Sequence, residues 1–231
     1  MHIGIEPLNH HSWQLFYNTL LPIKADVFSH VLSKLKQGGF DRVFAWMPLL
    51  GYDVENMGLQ TVVAEPEKNL GWYKRLSPFD PKTKDFVKKL AHDLALYTPV
   101  DGILFQDDLY LNDFEDFSPA AKLAFERKFN KELTKENLED AKLRQEWTRY
   151  KTETLNEITR IASNEAKQYR PELLTARNIY SALLENPDSE EWFAQNYKDF
   201  LANYDYVVVM VYPEMEKADN AAAWVEKVTT L

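Results

Sequence analysis

Stretches with helical spacing of apolar residues alternate with short apolar runs along this chain. The helical stretches lie at 22–36, 81–97 and 137–168 and from 218 onward, with shorter ones after Ser118 and Ser189. Asp80, Ser118 and Ser189 are the expected N-caps of the helices that follow them. The apolar runs lie at 42–47, 100–105, 172–176 and 204–212, and they are typical of strands buried on both faces. Because strands that alternate with helices form parallel sheets covered by helices, the pattern predicts an α/β fold with about four βα units.

The predicted loops after the strands carry most of the polar and aromatic residues that suit a binding site. In parallel sheets the carboxyl ends of the strands lie together and hold the site. We therefore expect carboxylates, aromatic rings and one arginine to converge on one face. The candidates are Tyr52, Asp53, Asp107, Asp108, Tyr110, Asp113, Glu115, Arg177, Asn178, Tyr180, Tyr212 and Glu214.

The adjacent carboxylates Asp107 and Asp108 are the central pair of this set. Side chains alternate along a strand, so two neighbours at a strand end meet different surroundings, and different surroundings separate their pKa values as acid–base catalysis requires. An acidic turn, a helix cap or a Ca²⁺ loop explains the same two residues equally well. Arg177 has two interpretations as well, a contact with a sugar hydroxyl or a structural salt bridge. For Trp46 and Trp192, packing is the favoured interpretation.

Composition narrows the classes of function. The 231 residues include 27 Lys and Arg against 36 Asp and Glu, which gives a net charge of −9. An acidic chain is a poor partner for nucleic acid, which requires a basic patch, whereas it suits a cationic or neutral ligand. Cysteine is absent, and the five histidines form no H-x-x-x-H pair, so the sequence predicts no metal site and no cofactor. No apolar run reaches the roughly 18 residues of a membrane span, and the first ten residues contain no signal-peptide pattern.

A series of motifs, in order along the chain, resembles one bacterial family. The most specific are DGILFQDD at 101–108 and LNDFEDFSP at 111–119. Together with the others they resemble the C-terminal glycoside hydrolase-like domain of the poly-β-1,6-N-acetyl-D-glucosamine N-deacetylase family (PgaB/HmsF). The resemblance runs from about residue 12 to the end, so we treat 12–231 as one domain and leave 1–11 unassigned. The remaining motifs are LPIKADVF at 21–28, AWMP at 45–48, RLSPFD at 75–80, TARNIY at 175–180 and WFAQNY at 192–197.

The resemblance implies a (β/α) TIM-barrel-type domain of which this chain holds the middle part. It implies a partly deacetylated β-1,6-linked glucosamine and N-acetylglucosamine polymer as ligand, bound and endo-hydrolysed, with Asp107 or Asp108 as the essential acid. It also implies an extracytoplasmic location, in the periplasm or at the outer membrane. Gln106 departs from the family pattern, which usually has His there. The deacetylase part of the family lies outside the resemblance, so we expect no deacetylase chemistry from these residues.

Two other interpretations stay open at this point. The chain is also explained as a glycan-binding module without catalysis that guides the polymer during export. Alternatively, a partial barrel leaves sheet edges uncovered, and two copies would cover them by forming a homodimer.

Overall fold

A parallel five-stranded sheet forms the centre of the molecule. The computed structural model describes residues 3–4, 15–54, 57–65, 68 and 74–230. Neighbouring strands pair in parallel and lie side by side in chain order. The four longer strands fall within or beside the predicted apolar runs, and β1 lies in the segment that the sequence left unassigned. The strands are β1 (Ile3–Gly4), β2 (Phe44–Met47), β3 (Gly102–Phe105), β4 (Leu174–Tyr180) and β5 (Tyr206–Met210).

Helices connect successive strands, which confirms the predicted alternation. One helix precedes β2 and one joins β2 to β3, while the connection from β3 to β4 contains two and the connection from β4 to β5 contains three short ones. The helices are α1 (Val27–Gln37), α2 (Pro81–Tyr97), α3 (Pro119–Phe129), α4 (Ala141–Tyr169), α5 (Ala182–Glu185), α6 (Glu190–Phe193), α7 (Tyr197–Asn203) and α8 (Ala221–Thr229).

Two of the predicted helix starts have the expected caps and a third does not. The Asp80 carboxylate accepts a hydrogen bond from the backbone N–H of Lys82 at 3.0 Å, and the Ser118 hydroxyl caps α3 in the same way. The prediction that Ser189 caps one continuous helix is wrong, since its side chain makes no capping bond. The helical segment stops at Phe193 because Ala194 takes a left-handed backbone with φ of 48°, and α7 begins only after that.

The helix-facing side of the sheet is the hydrophobic core. Met47 and Phe105 point to this side and are buried against α2 and α4. Leu94 of α2 and Ile158 of α4 are fully buried in the same cluster. Burying each side chain of this kind contributes about 1.5–3 kcal/mol, so this layer fixes the position of the strands and of their carboxyl ends.

The strand β5 departs most strongly from the expected burial on both faces. Tyr206 is 44% exposed, and Val207, Val208 and Val209 are each partly exposed. The expectation of a fully buried strand is wrong here because, among the described strands, β5 pairs with β4 only and forms an edge of the sheet. Within the described ranges, no helix combines the length and the apolarity needed to cross a membrane.

Candidate active site

Asp108 is the buried member of the carboxylate pair that follows β3. It is 2% exposed, and its Oδ2 accepts the backbone N–H groups of Leu49 at 2.8 Å, Leu50 at 2.5 Å and Gly51 at 2.7 Å. These bonds fix the loop that follows β2. Burial raises the pKa of Asp108 to about 6, although the three hydrogen bonds act in the opposite direction. Its Oδ1 has no hydrogen-bond partner among the described residues.

Asp107 lies in a different environment from its neighbour. Its side chain is partly exposed, and partial burial raises the pKa of its carboxyl group above the ordinary value. The negative charge of Asp107 in turn raises the pKa of Asp108. The pair therefore divides into one carboxyl group that is open to a ligand and one that is committed to the protein, as the alternation of side chains predicted.

Aromatic rings lie beside the carboxylate pair. The rings of Tyr180 and Phe193 stack with their centroids 4.2 Å apart, and the Tyr110 ring meets Tyr180 edge-on at 6.0 Å. Burial is the main cause that raises the pKa of the Tyr180 hydroxyl, and the charge of the nearby Asp107 carboxyl group adds to it. The structure thus brings the predicted Asp107, Asp108, Tyr110 and Tyr180 together.

A buried ion pair between Arg75 and Glu115 supports the loop that carries Tyr110. The Nη2 atom of Arg75 donates to both carboxylate oxygens of Glu115, at 2.7 and 2.8 Å, and the guanidinium lies 3.9 Å from the centre of the Tyr110 ring. Arg75 also donates to the backbone carbonyl of Tyr110. The Glu115 side chain is fully buried, so it holds the loop in place and is not exposed to a ligand. Lys151 donates to the Glu115 carbonyl at 3.0 Å and to the Asn112 carbonyl at 2.6 Å, and burial lowers the pKa of its ammonium group to about 8.

Arg177 is fully buried beneath the loop that follows β3. Its Nη2 donates to the backbone carbonyl of Leu109 at 3.1 Å, and its Nη1 donates to Asn156 and to the Tyr204 hydroxyl. No carboxylate of the described part of the chain forms an ion pair with it. The structure therefore supports neither of the two interpretations made from the sequence, because Arg177 is inaccessible and forms no salt bridge.

The other candidates divide into buried and exposed positions. Tyr52 is 1% exposed and its hydroxyl donates to the Pro48 carbonyl at 3.0 Å, so its ring belongs to the core. Asn178 is buried on β4 and, by alternation, faces the same side as Tyr180. Four candidates have exposed side chains, and of these Asp53 lies 4.0 Å from the Lys74 ammonium nitrogen. The exposed four are Asp53, Asp113, Tyr212 and Glu214.

Sequence reasoning missed two features of this region. Trp192 is 52% exposed, so the interpretation of this residue as a packing residue is wrong, and its neighbour Phe193 makes the ring contact instead. Gln195 is fully buried and binds the loop after β3, although nothing in the local pattern distinguishes it from a surface glutamine. No group of three or more histidine, aspartate or glutamate side chains in the described ranges is arranged to hold a metal ion.

The family comparison decides what kind of domain carries this arrangement. The model of GHL13, described as hypothetical glycosyl hydrolase family 13, matches residues 11–231. The chain belongs to this family. Its polar and aromatic group at the carboxyl end of β3 therefore lies where glycoside hydrolases of barrel type hold their sites.

Individual relatives of this GHL13 member agree with that assignment. The chain is 38% identical over 229 residues to the poly-beta-1,6-N-acetyl-D-glucosamine N-deacetylase of Escherichia coli K12, covering 93% of this chain and 33% of the relative. It thus spans about a third of the length of this curated relative. The glycoside hydrolase domain of PgaB (BpsB) from Bordetella bronchiseptica superposes with a TM-score of 0.84 at 32% identity, covering 94% of this chain and 64% of that chain. The resemblance noted in the sequence and the TIM-barrel-type fold are both confirmed.

A more distant structure shows the same fold. A β-galactosidase from Rahnella sp. R3 matches with a TM-score of 0.64 over 92% of this chain and 34% of that chain. The two sequences are 14% identical, so this likeness concerns the fold alone.

Proposed function

We propose that this chain binds partly deacetylated poly-β-1,6-N-acetyl-D-glucosamine and hydrolyses its internal bonds. The observation that carries the proposal is the split environment of Asp107 and Asp108 at the carboxyl end of β3, in a chain of a glycosyl hydrolase family. The polymer is the one named for the E. coli relative. An extracytoplasmic location, where such a polymer is exported, belongs to the same proposal.

Asp107 acts as the general acid in this proposal. Its raised pKa keeps the proton available at a higher pH than an exposed aspartate would, and its partial exposure leaves the group accessible to a glycosidic oxygen. Asp107 gives its proton to that oxygen as the bond from the anomeric carbon breaks, and the leaving sugar departs as an alcohol. Turnover should decline as the pH rises through the pKa of Asp107, because the acid then loses its proton.

The second group needed for hydrolysis comes from the substrate. Glycosidases use either a second carboxylate or the N-acetyl group of the sugar itself to stabilise the anomeric carbon. Asp108 does not take this role, because its Oδ2 is occupied by three backbone N–H groups and its Oδ1 is buried within the protein. The acetamido oxygen then bonds to the anomeric carbon, and water later opens that intermediate while Asp107 takes the proton of the water.

The surroundings of the pair suit such a polymer. Tyr110 and Tyr180 offer rings on which a pyranose can stack, and the net charge of −9 attracts the free amines of a deacetylated chain. Exposed side chains extend the contact in this proposal, and Asn178 lies on the same face of β4 as Tyr180. The exposed residues are Asp53, Asp113, Tyr212 and Glu214.

A second candidate function is glycan binding without catalysis. Gln106, which directly precedes Asp107, favours this function. The family that the sequence resembles usually has histidine at this position, and a glutamine side chain cannot transfer a proton as histidine can. In that case the same rings and carboxylates hold the polymer and no bond is cleaved.

Incubation with the polymer separates the two functions. The chain is mixed with partly deacetylated poly-β-1,6-N-acetylglucosamine, and products are sized by mass spectrometry while oligomer binding is titrated separately. We expect a ladder of internal fragments that grows with time. Saturable binding with an intact polymer would support the second function and contradict hydrolysis, and the absence of both binding and cleavage would contradict both.

A further inference from the structure

The backbone carbonyl of Leu109 is held by two side chains from distant parts of the chain. It accepts a hydrogen bond from Arg177 Nη2 at 3.1 Å and another from Gln195 Nε2 at 3.3 Å. Leu109 is fully buried and lies two residues after Asp107. The backbone N–H of Leu111 adds a bond to the Phe193 carbonyl at 3.3 Å, so the loop after β3 is fastened at alternate residues.

Gln195 connects this loop to the end of β4. The same side chain that donates to Leu109 accepts the backbone N–H of Tyr180 through its Oε1 at 3.3 Å. Gln195 follows Ala194, whose left-handed backbone is unfavourable for a non-glycine residue by about 1–2 kcal/mol. The fold accepts this cost in the turn that sets Phe193 against Tyr180 and Gln195 against the loop.

Arg177 supplies a charge where a neutral side chain would be less costly to bury. Its side chain is fully buried, and its partners are the neutral Leu109 carbonyl, Asn156 and Tyr204, with the guanidinium 4.3 Å from the Phe200 ring centre. Burying a charge without an opposite charge is strongly unfavourable. What the charge provides is a hydrogen bond to Leu109 that is stronger than one from a neutral donor.

The loop after β3 is consequently held from two sides. Asp108 binds the loop after β2 on one side, while Leu109 binds β4 and the turn after α6 on the other. Asp107 directly precedes these two attachments, and on its other side the backbone N–H of Gln106 donates to the Met47 carbonyl at 3.1 Å. The carboxyl group of Asp107 remains partly exposed. The backbone on each side of the acid is therefore fixed by groups that never reach the surface.

We propose that Arg177 and Gln195 are positioning residues that hold Asp107 at the place from which it protonates the glycosidic oxygen, acting through the carbonyl of Leu109. The inference rests on the proposed function for the role of Asp107, and on contacts alone for the position of the loop. A displacement of about 1 Å in a catalytic group lowers the rate by about 100-fold, so a loosened loop lowers turnover more than it lowers affinity for the polymer.

Two variants of Gln195 test the proposal by two readouts. Gln195→Met keeps the shape and removes both hydrogen bonds, while Gln195→Glu keeps an acceptor for Tyr180 and removes the donor to Leu109. We expect faster amide hydrogen exchange over 107–112 in both, with kcat lower by about 10- to 100-fold and a smaller rise in KM. Arg177→Lys keeps the positive charge and loses the planar guanidinium group with its several donors. It should give a smaller increase in hydrogen exchange and a smaller decrease in kcat.

Thr175→Val is the matched control. Thr175 is equally buried on β4, but its hydroxyl donates to Asp205 at the opposite end of the strand. It should lower Tm while leaving kcat and the exchange of 107–112 unchanged. Wild-type exchange over 107–112 in all folded Gln195 variants would overturn the inference, as would unchanged kcat in an active protein. If the wild-type chain does not cleave the polymer, the proposed function fails, and exchange alone then decides whether the loop is held as inferred.

Discussion

Asp107 and Asp108 are adjacent in the chain, yet only Asp108 is enclosed by the protein. Its Oδ2 holds three successive backbone N–H groups of the loop after β2, whereas the carboxyl group of Asp107 is partly open. One residue thus fixes two loops to each other and the other remains available for chemistry. This division, and the contacts that maintain it, determine how variants of the site should behave.

The pKa of Asp108 predicts a pH-dependent difference in stability. Burial raises it from 3.8 to about 6, so the folded state binds the proton more tightly than the unfolded state. The stability that this proton provides is complete below pH 4 and is lost as the pH rises through 6. Asp108→Asn removes the titration, so the free energy of unfolding of the variant relative to wild type should increase by up to about 3 kcal/mol between pH 4 and pH 7.

Urea unfolding of both proteins across that range checks this prediction. Carboxyl groups distant from Asp108 titrate equally in the two chains, so the difference between the chains reports on Asp108 and on its charge interaction with Asp107. A difference that stays constant with pH, or that changes in the opposite direction, contradicts the assigned environment of Asp108.

The ion pair between Arg75 and Glu115 predicts strong coupling between the two positions. Arg75→Met leaves the buried Glu115 carboxylate without its cation and should lower the free energy of unfolding by about 3–5 kcal/mol. The double variant Arg75→Met/Glu115→Leu should recover part of that loss, because the Glu115 carboxylate is no longer buried without Arg75, while Lys151 loses the favourable charge of Glu115. Chemical denaturation of the three variants measures the coupling, and simple additivity of the single effects would contradict it.

Much of the fold follows from local signals in the sequence. The helix α2 was predicted at its observed bounds, because Asp80 and Pro81 start it and a single apolar face defines its length. The strand β4 was predicted to end at Ala176 and continues to Tyr180, since Arg177 and Asn178 interrupt the apolar pattern. Arg177 is buried in the strand because it donates hydrogen bonds to Asn156 and to the carbonyl of Leu109. Both residues are distant in the sequence, so no local pattern predicts these bonds.

The position of the site was also predictable from local sequence patterns, whereas the roles of several of its residues depend on distant contacts. The carboxyl end of β3 was identified because parallel strands place their carboxyl ends together. The roles of Tyr52, Glu115 and Arg177 were not identified from the sequence. Each role depends on which side chains of a strand end or loop face the core. Glu115 meets an arginine 40 positions away, and a carboxylate that is paired and buried has the same sequence signature as one that binds a sugar.

Tyr180 predicts an effect on affinity for the polymer, which is measured on the folded variants. Tyr180→Ala removes a ring beside Asp107 and should weaken binding of glucosamine oligomers by about 1 kcal/mol, roughly fivefold in Kd. Tyr180→Phe keeps the ring and should bind nearly as wild type. Calorimetric titration with a defined oligomer measures both, and equal affinity of the alanine variant and wild type would remove Tyr180 from the binding surface.

The exposed edge at β5 carries the prediction of a homodimer. Pairing of two copies along this edge should produce a sedimentation coefficient that increases with protein concentration. Val208→Lys places a charge on the partly exposed strand and should keep the chain monomeric, while Leu201→Lys on the exposed surface of α7 should not. A wild-type chain that stays monomeric at every concentration and unfolds cooperatively contradicts the pairing.

The rate at which Asp107→Asn releases new reducing ends from the partly deacetylated polymer tests the central claim most directly. The amide cannot donate the proton, so the rate should fall by about 10²- to 10⁴-fold while oligomer affinity and the free energy of unfolding stay near the wild-type values. Asp41→Asn, at an exposed position before β2 and at the opposite end of the sheet, is the control and should cleave as wild type does. Cleavage by Asp107→Asn at the wild-type rate would contradict the assignment of Asp107 as the acid.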